Sequence, residues 1–189
     1  MYSSDQNALR KNLNQMNQTE KTTRTGKLMA FMAWIAGLAL LTQFFGNWQT
    51  QQINPNQSPA SSLINPETIS VTLMQNRLGH YLVNGTLNGQ PATFMLDTGA
   101  TDVVVPKELA DTYQLISQGS SQSLTANGII TVGRSNIKSL SIGDITLYNV
   151  RASINPGMEQ NQAILLGMSA LKQLELRQQG DTLTLIQRR

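Results

Sequence analysis

The chain has 189 residues, with 14 Lys and Arg, 11 Asp and Glu, one His and no Cys. This length suits one ordinary domain with an appendage, or two very small domains. The absence of Cys excludes disulfides and Cys-ligated metal sites, and the single histidine, His80, argues against a His-based metal cluster or a Ser-His-Asp triad within one chain. We therefore expect neither a metal site nor a cofactor.

The net charge of +3 is confined to the N-terminal segment. Residues 1–27 carry five basic and two acidic side chains, whereas residues 28–189 carry nine of each. A nucleic-acid surface needs clustered Lys and Arg in the folded part, so the balanced charge after residue 27 argues against such a partner. We expect residues 1–27 to be a disordered basic tail, because they are rich in polar residues and lack apolar periodicity.

Residues 28–45 read LMAFMAWIAGLALLTQFF and contain no charged side chain. As a helix they would be about 27 Å long, close to the thickness of a bilayer's hydrocarbon core, so they predict a single transmembrane anchor. The basic flank places the tail in the cytoplasm and the rest of the chain on the other side. A cleaved signal peptide would need a shorter basic region and a small-x-small cleavage site; a buried core helix is the other alternative.

The composition changes twice after the apolar run. Residues 46–68 are rich in Gln, Asn, Ser and Pro, which is typical of a linker. Residues 69–189 consist of short β-rich runs separated by turn dipeptides such as Asn88-Gly89, which predict an all-β domain. Helices are predicted at Lys107–Leu115 and Met168–Leu174. The predicted strands are Ile69–Met74, His80–Leu87, Ala92–Leu96, Val103–Val105, Ser123–Thr125, Ile129–Val132, Ile137–Ile142, Ile145–Val150, Ala152–Ile154, Ala163–Leu166, Leu174–Arg177 and Thr182–Ile186.

The chemically informative residue is Asp97, which ends an apolar strand and precedes Thr98-Gly99. A carboxylate beside buried residues costs free energy unless it is paired or hydrogen-bonded, which suggests a use for it. The alternative interpretation is a simple turn that the Asp side chain caps.

Three elements follow one another along the chain: Phe94–Val105 around Asp97, the segment Leu124–Ile130, and Ile164–Gly167 followed by a predicted short helix. In this order they resemble the retropepsin-like aspartic proteases of clan AA, in particular a bacterial, membrane-anchored branch of them. Phe94–Val105 is similar to the family's active-site segment. Leu124–Ile130 resembles the flap hairpin, which here would include Ala126, Asn127, Gly128 and Ile129, with Asn127-Gly128 at the tip. Leu165, Leu166 and Gly167 are similar to the element that closes the fold beneath the catalytic loop.

The resemblance implies a closed β-barrel, half of a pepsin-type fold, and a peptidase that acts on polypeptides. Two carboxylates that share a proton would activate a water, and since the chain has one Asp-Thr-Gly, the second Asp97 must come from a second copy. Thr98 would brace the two loops, Gly99 would hold the carboxylate, and Ala100 would leave room for substrate. Asp102 is a candidate pocket residue or a solvated surface acid. For such a branch, the domain would be periplasmic and the anchor would lie in the inner membrane.

The sequence also departs from the family's retroviral pattern. Retroviral proteases carry an Asp and an Arg that form an ion pair bracing the dimer, and here Thr101 and Met168 stand at those two positions. Two alternatives to an active enzyme remain open. One is a non-catalytic protease-fold module, tethered to the membrane, that binds or assembles partners, and the other is a structural protein in which Asp-Thr-Gly is a turn.

Overall fold

A computed structural model describes residues 3–125, 128–159 and 163–188. The chain divides into two compact units, Met1–Trp48 and Gln49–Arg189. The helical elements are α1 (Ser3–Ile53), a 3₁₀ turn (Lys107–Leu109) and α2 (Met168–Leu171). The strands are β1 (Ser61–Asn65), β2 (Thr68–Met74), β3 (Leu82–Leu87), β4 (Gln90–Leu96), β5 (Val103–Pro106), β6 (Ser120–Thr125), β7 (Gly128–Ile142), β8 (Ile145–Asn155), β9 (Ile164–Leu166), β10 (Glu175–Gln179) and β11 (Thr182–Arg188).

The first unit is helical throughout its described part. Within α1, Gly26–Ile53 is long and apolar enough to cross a membrane, as judged by length and composition. Large apolar side chains along this stretch are exposed, among them Trp34 (73%) and Leu40 (69%). The helix α1 begins at Ser3, whereas the sequence predicted a disordered tail at residues 1–27. A physical reason is that the chain contains no proline before Pro55, so nothing interrupts helical hydrogen bonding upstream of the apolar run.

The second unit is built on two sheets, and its all-β, retropepsin-like barrel confirms the predicted fold class. The smaller sheet has the strand order β1-β2-β11-β10, and all its neighbouring strands are antiparallel. The larger sheet has the order β3-β4-β9-β5-β8-β7-β6, and an additional pairing between β3 and β7 closes it. The core holds fully buried apolar side chains from both sheets, among them Phe94, Leu140, Leu166 and Leu185.

Hairpin turns set the register of the larger sheet. Asn88 and Gly89 both have positive φ (49° and 81°), as a two-residue turn between antiparallel strands requires, and the turn joins β3 to β4. Gly143, also at positive φ, lies between β7 and β8, which pair from Ile142 and Ile145 to Gly133 and Ile154. Four short predicted strands are therefore two long ones, because polar residues between the apolar runs still take part in pairing.

A linker is predicted at residues 46–68, but the second compact unit already begins at Gln49. Residues 49–65 are therefore part of that unit. Asn54 and Asn56 are buried, and β1 pairs with β2. The Asn56 side chain donates to the carbonyl oxygens of Met74 (2.9 Å) and Leu82 (2.6 Å) and accepts from the Met74 N–H (2.7 Å). A composition typical of a linker is thus compatible with order, since amide side chains can satisfy main-chain groups.

The predicted helix at Lys107–Leu115 is also shorter than expected. Only Lys107–Leu109 forms a 3₁₀ turn, and Gln114 takes a positive φ of 54°. The side chains of Tyr113 and Leu115 are buried, so the chain follows the core surface rather than continuing as a helix. A nine-residue segment has little helical stability of its own to oppose this packing.

Candidate active site

Asp97 follows the last residue of β4, where a parallel strand holds its main chain. β9 pairs with β4 from Phe94–Ile164 to Leu96–Leu166, and the Asp97 N–H donates to the Leu166 carbonyl oxygen at 3.2 Å. The Asp97 side chain is half-buried, and its Oδ1 accepts the Gly99 N–H at 2.9 Å. A carboxylate bound to a main-chain donor has a fixed orientation while its other oxygen stays available.

The segment Leu165–Gly167 lies directly against the Asp97 loop. A Cβ atom on Gly167 would lie 2.2 Å from the Asp102 carbonyl oxygen and 2.7 Å from that of Ala100. No side chain fits at such distances, so glycine is required for this close approach. The first residues of α2 then bind the loop through main-chain N–H groups: Met168 donates to Ala100 (2.8 Å) and Ser169 to Thr101 (2.9 Å).

The loop opens into a cleft of about 650 Å³ between the barrel and the β6–β7 hairpin. Asp97, Gly99, Ala100 and Asp102 all line it, so these predicted site residues come together. Thr101, Leu124 and Leu165, which belong to segments that the sequence motifs indicated, also line it. The other lining residues come from β5, β6, β7 and β8 and were not predicted as site residues from the sequence. They are Val104, Ser121, Gln122, Ser123, Val132, Ser153 and Asn155.

Strand alternation is the signal that could have identified part of this set. Val104 pairs with Ser153 on one side and with Leu165 on the other, so the three side chains form a row across the sheet on one face. The preceding residues on the same strands, such as Val103 and Ala152, point to the other face and are buried in the core. The sequence cannot indicate this row without the strand register, because β5, β8 and β9 are distant in the chain.

The β6–β7 hairpin contains the segment Leu124–Ile130, for which a flap is predicted. β6 pairs with β7 from Ser120–Gly133 to Thr125–Gly128, and Leu124 faces Ile129 across the pair. Both apolar side chains are strongly exposed, at 82% and 68%. Ala126 and Asn127, both predicted as flap residues, lie outside the described residues. The hairpin therefore presents an apolar pair beside a cleft that has Asp97 on its wall.

Asp102 has a charged partner that the sequence did not predict. Arg151 Nε and Nη2 both lie 3.2 Å from Asp102 Oδ1. The Asp102 side chain is 31% exposed and the Arg151 side chain 64%, so water and salt weaken this pair. Thr98 is exposed and Met168 is 38% exposed. The contact expected of Thr98 involves a second copy of the chain.

The pKa values of Glu175 and Tyr113, both outside the cleft, depart from their ordinary range. Side-chain hydrogen bonds from Arg177 and Arg188 lower the pKa of Glu175 on β10. Burial raises the pKa of Tyr113, whose hydroxyl donates to the Pro91 carbonyl oxygen at 3.1 Å. Among the described residues, no three His, Cys, Asp or Glu side chains are grouped so that they could hold a metal ion.

Comparisons with known proteins agree with this geometry. Residues 83–173 match the family model described as "gag-polyprotein putative aspartyl protease". The fold is similar to the crystal structure of a retropepsin-like aspartic protease from Rickettsia conorii, with a TM-score of 0.53 and 24% identity, over 69% of this chain and 94% of that one. A Sinorhizobium sp. protein described as "Uncharacterized protein in cobV 5′region" is 29% identical over 138 residues, which are 71% of this chain and 58% of the relative's length.

Proposed function

Because the β-rich unit of this chain belongs to the retropepsin-like aspartic protease family, we propose that the protein is an aspartic endopeptidase that hydrolyses polypeptides. The observation that carries the proposal is the environment of the Asp97 carboxyl group. Asp97 directly follows the apolar strand β4, its Oδ1 accepts the Gly99 N–H at 2.9 Å, and the residue lines a cleft of about 650 Å³. A cleft of this size accommodates several residues of an extended peptide.

The reaction requires a second carboxylate, and we assign it to Asp97 of a second copy. One group must take a proton from water while another protonates the carbonyl oxygen or the leaving nitrogen. The other carboxylate lining the cleft is Asp102, which is paired with Arg151. A two-fold symmetric homodimer supplies the missing group at the equivalent place, and two carboxylates at close range share one proton.

The remaining site residues take supporting roles in this mechanism. Gly99 orients the Asp97 carboxylate through its N–H. The small side chain of Ala100 leaves space in the cleft for a peptide main chain. Thr98, exposed at the loop surface, is available to bond across the dimer axis. The β6–β7 flap covers the peptide, and the exposed Leu124 and Ile129 contact its apolar groups, which excludes water from the reaction.

We also propose that the apolar part of α1 anchors the enzyme in the inner membrane as a single pass. Gly26–Ile53 has the length and composition of a membrane span. Lys and Arg on its N-terminal side favour a cytoplasmic tail and a periplasmic protease domain. A reporter enzyme fused after Arg189 tests the orientation: a periplasm-dependent reporter should be active, and activity of a cytoplasm-dependent reporter would contradict the assignment.

The central experiment compares Asp97→Asn with Asp111→Asn in the full chain, purified in detergent and incubated with a peptide library from acidic to neutral pH. Asp111 is an exposed acid of the same type that lies outside the cleft. We expect cleavage by the wild type and by the Asp111 variant, and a loss of at least about a thousandfold in the Asp97 variant. Cleavage that persists in Asp97→Asn would remove this residue from the mechanism.

Mixing experiments test the shared site. If activity needs one Asp97 from each copy, an equal mixture of wild type and Asp97→Asn that exchanges subunits should retain about a quarter of the activity, whereas independent monomers would retain about half. A wild-type dimer that cleaves nothing at any pH would instead favour the non-catalytic binding module.

A further inference from the structure

Ser169, in the first turn of α2, has a buried hydroxyl that bonds to two different strands. Its Oγ donates to the main-chain oxygen of Arg151 on β8 at 2.7 Å and accepts the N–H of Val103 on β5 at 3.0 Å. The residue is 3% exposed, and Val103 is fully buried. The hydroxyl thus acts as donor and acceptor at once, and its bond from the Val103 N–H is buried away from water.

These bonds complete the attachment of the catalytic loop to the β9–α2 element. Three of the contacts between the two segments use main-chain groups alone: Asp97 to Leu166, Met168 to Ala100, and Ser169 to Thr101. Main-chain bonds of this kind can form whatever the side chains are. The bond from Val103 to Ser169 Oγ depends on the side chain, so it is a point at which a substitution can loosen the end of the loop without removing any cleft-lining residue.

We propose that Ser169 is a positioning residue for peptide hydrolysis, whose hydroxyl fixes the Asp97–Val103 loop against β8. The inference rests on the proposed function, since it concerns the orientation of Asp97 in that reaction. Thr101 and Met168 cannot form the ion pair that braces retroviral protease dimers. In this chain, a neutral hydroxyl holds the loop through bonds within one copy.

The magnitude follows from the sensitivity of catalysis to geometry. Without the hydroxyl, the Val103 N–H loses its acceptor in a dry environment, and the loop shifts or opens to find another one. A displacement of about 1 Å can lower a rate about a hundredfold. We therefore expect Ser169→Ala to lower kcat by about ten- to a hundredfold, while KM changes by less than about threefold because the residues lining the cleft are unchanged.

Ser135→Ala is the matched control. Ser135 is also a buried serine, 8% exposed, and its hydroxyl donates to a main-chain oxygen, that of Ile116, at 2.9 Å. It lies on β7, outside the Asp97 loop and α2. Both variants lose one buried hydroxyl, but that of Ser169 makes two hydrogen bonds and that of Ser135 makes one. A merely structural role therefore predicts a larger shift in the urea midpoint for Ser169→Ala and an unchanged kcat in both variants. The positioning role predicts that kcat falls in Ser169→Ala alone.

A second measurement does not need activity. Hydrogen exchange of the amides from Asp97 to Val103 is followed in full-length Asp97→Asn protein in detergent, with and without each serine substitution. We expect Ser169→Ala to speed exchange in this loop at least about tenfold and Ser135→Ala to leave it unchanged. If Ser169→Ala does not fold, Ser169→Cys replaces it, since Cys fills similar space with a weak hydrogen-bonding group.

The outcomes separate this inference from the proposed function. An inactive wild type whose loop exchange rises only in the Ser169 variant would refute the peptidase and retain the hydroxyl's hold on the loop. An active wild type whose kcat and loop exchange respond equally to both serine substitutions would overturn the positioning role and leave the peptidase intact. A Ser169→Thr variant, which keeps the hydroxyl, should show loop exchange close to that of the wild type.

Discussion

Replacing Asn56 by Ala tests whether the polar segment after the apolar helix is part of the β-rich fold. Asn56 is 6% exposed, and its side chain bridges two strands through Met74 and Leu82. Its main-chain oxygen also accepts the N–H of Asn84 at 3.1 Å. If the segment were a tether, as its composition suggests, the substitution would cost almost nothing.

The expected cost follows from the bonds that are lost. The Asn56 side chain makes three hydrogen bonds to main-chain groups, two as donor and one as acceptor. Each contributes about 1 kcal/mol net, and buried groups left without a partner cost at least as much. The Met74 side chain is half exposed, so water can reach part of this region. We therefore expect Asn56→Ala to lower the free energy of unfolding by about 2–3 kcal/mol.

The assay is urea unfolding of the full chain in detergent, followed by hydrogen exchange of peptides from residues 69–125. Asn65→Ala is the matched control, because Asn65 is exposed and accepts one main-chain N–H, that of Glu67, at 3.0 Å. It should cost less than about 0.5 kcal/mol. A loss in Asn56→Ala no larger than that of the control would refute the reasoning and restore the linker.

Three further predictions concern the loop support and two titrating groups. Gly167→Ala should unfold the β-rich domain or abolish activity, because the new methyl group overlaps carbonyl oxygens of the Asp97 loop. Gly157→Ala, whose new methyl group meets its nearest atom at 3.4 Å, should be tolerated. Thermal melting of the two variants compares their stabilities. The lowered pKa of Glu175 gives stability that is present above its ordinary value of 4.5 and is lost as the pH falls through the lowered value, so in urea titrations Glu175→Gln should remove this acid-side loss. The raised pKa of Tyr113 gives stability that is complete below its ordinary value of 10.0 and is lost as the pH rises through the raised value, so Tyr113→Phe should remove this alkaline loss in the same titrations.

The sequence predicted the fold, and it drew attention to the Asp97 loop, because the patterns that indicate both are local. Apolar runs of strand length, turn dipeptides such as Asn88-Gly89, and an acid followed by Thr-Gly each indicate structure within a few residues. Gly167 belongs to the same class, since its close approach to the loop permits no other residue. Motifs that arise from main-chain geometry persist in recognisable form, which is why three short elements were sufficient.

Other features depend on partners far away in the chain, and local patterns do not indicate them. Asn56 reads as linker composition because its three side-chain bonds go to residues 18 and 26 positions later. Ser169 is 66 positions from Val103, and Arg151 is 49 positions from Asp102. An isolated serine or asparagine carries no pattern, so these contacts become visible only when the strand register is known.

The pairing of Asp102 with Arg151 also bears on the proposal that one chain carries half of an acid–base site. A cleft with two unpaired carboxylates would bind cations and disfavour the charged form of each. Here Arg151 lies 3.2 Å from Asp102, while Asp97 contacts a neutral main-chain donor. Under the proposed mechanism, the second carboxylate comes from another copy of the chain, and Asp102, which already has a charged partner, contacts substrate rather than transferring a proton.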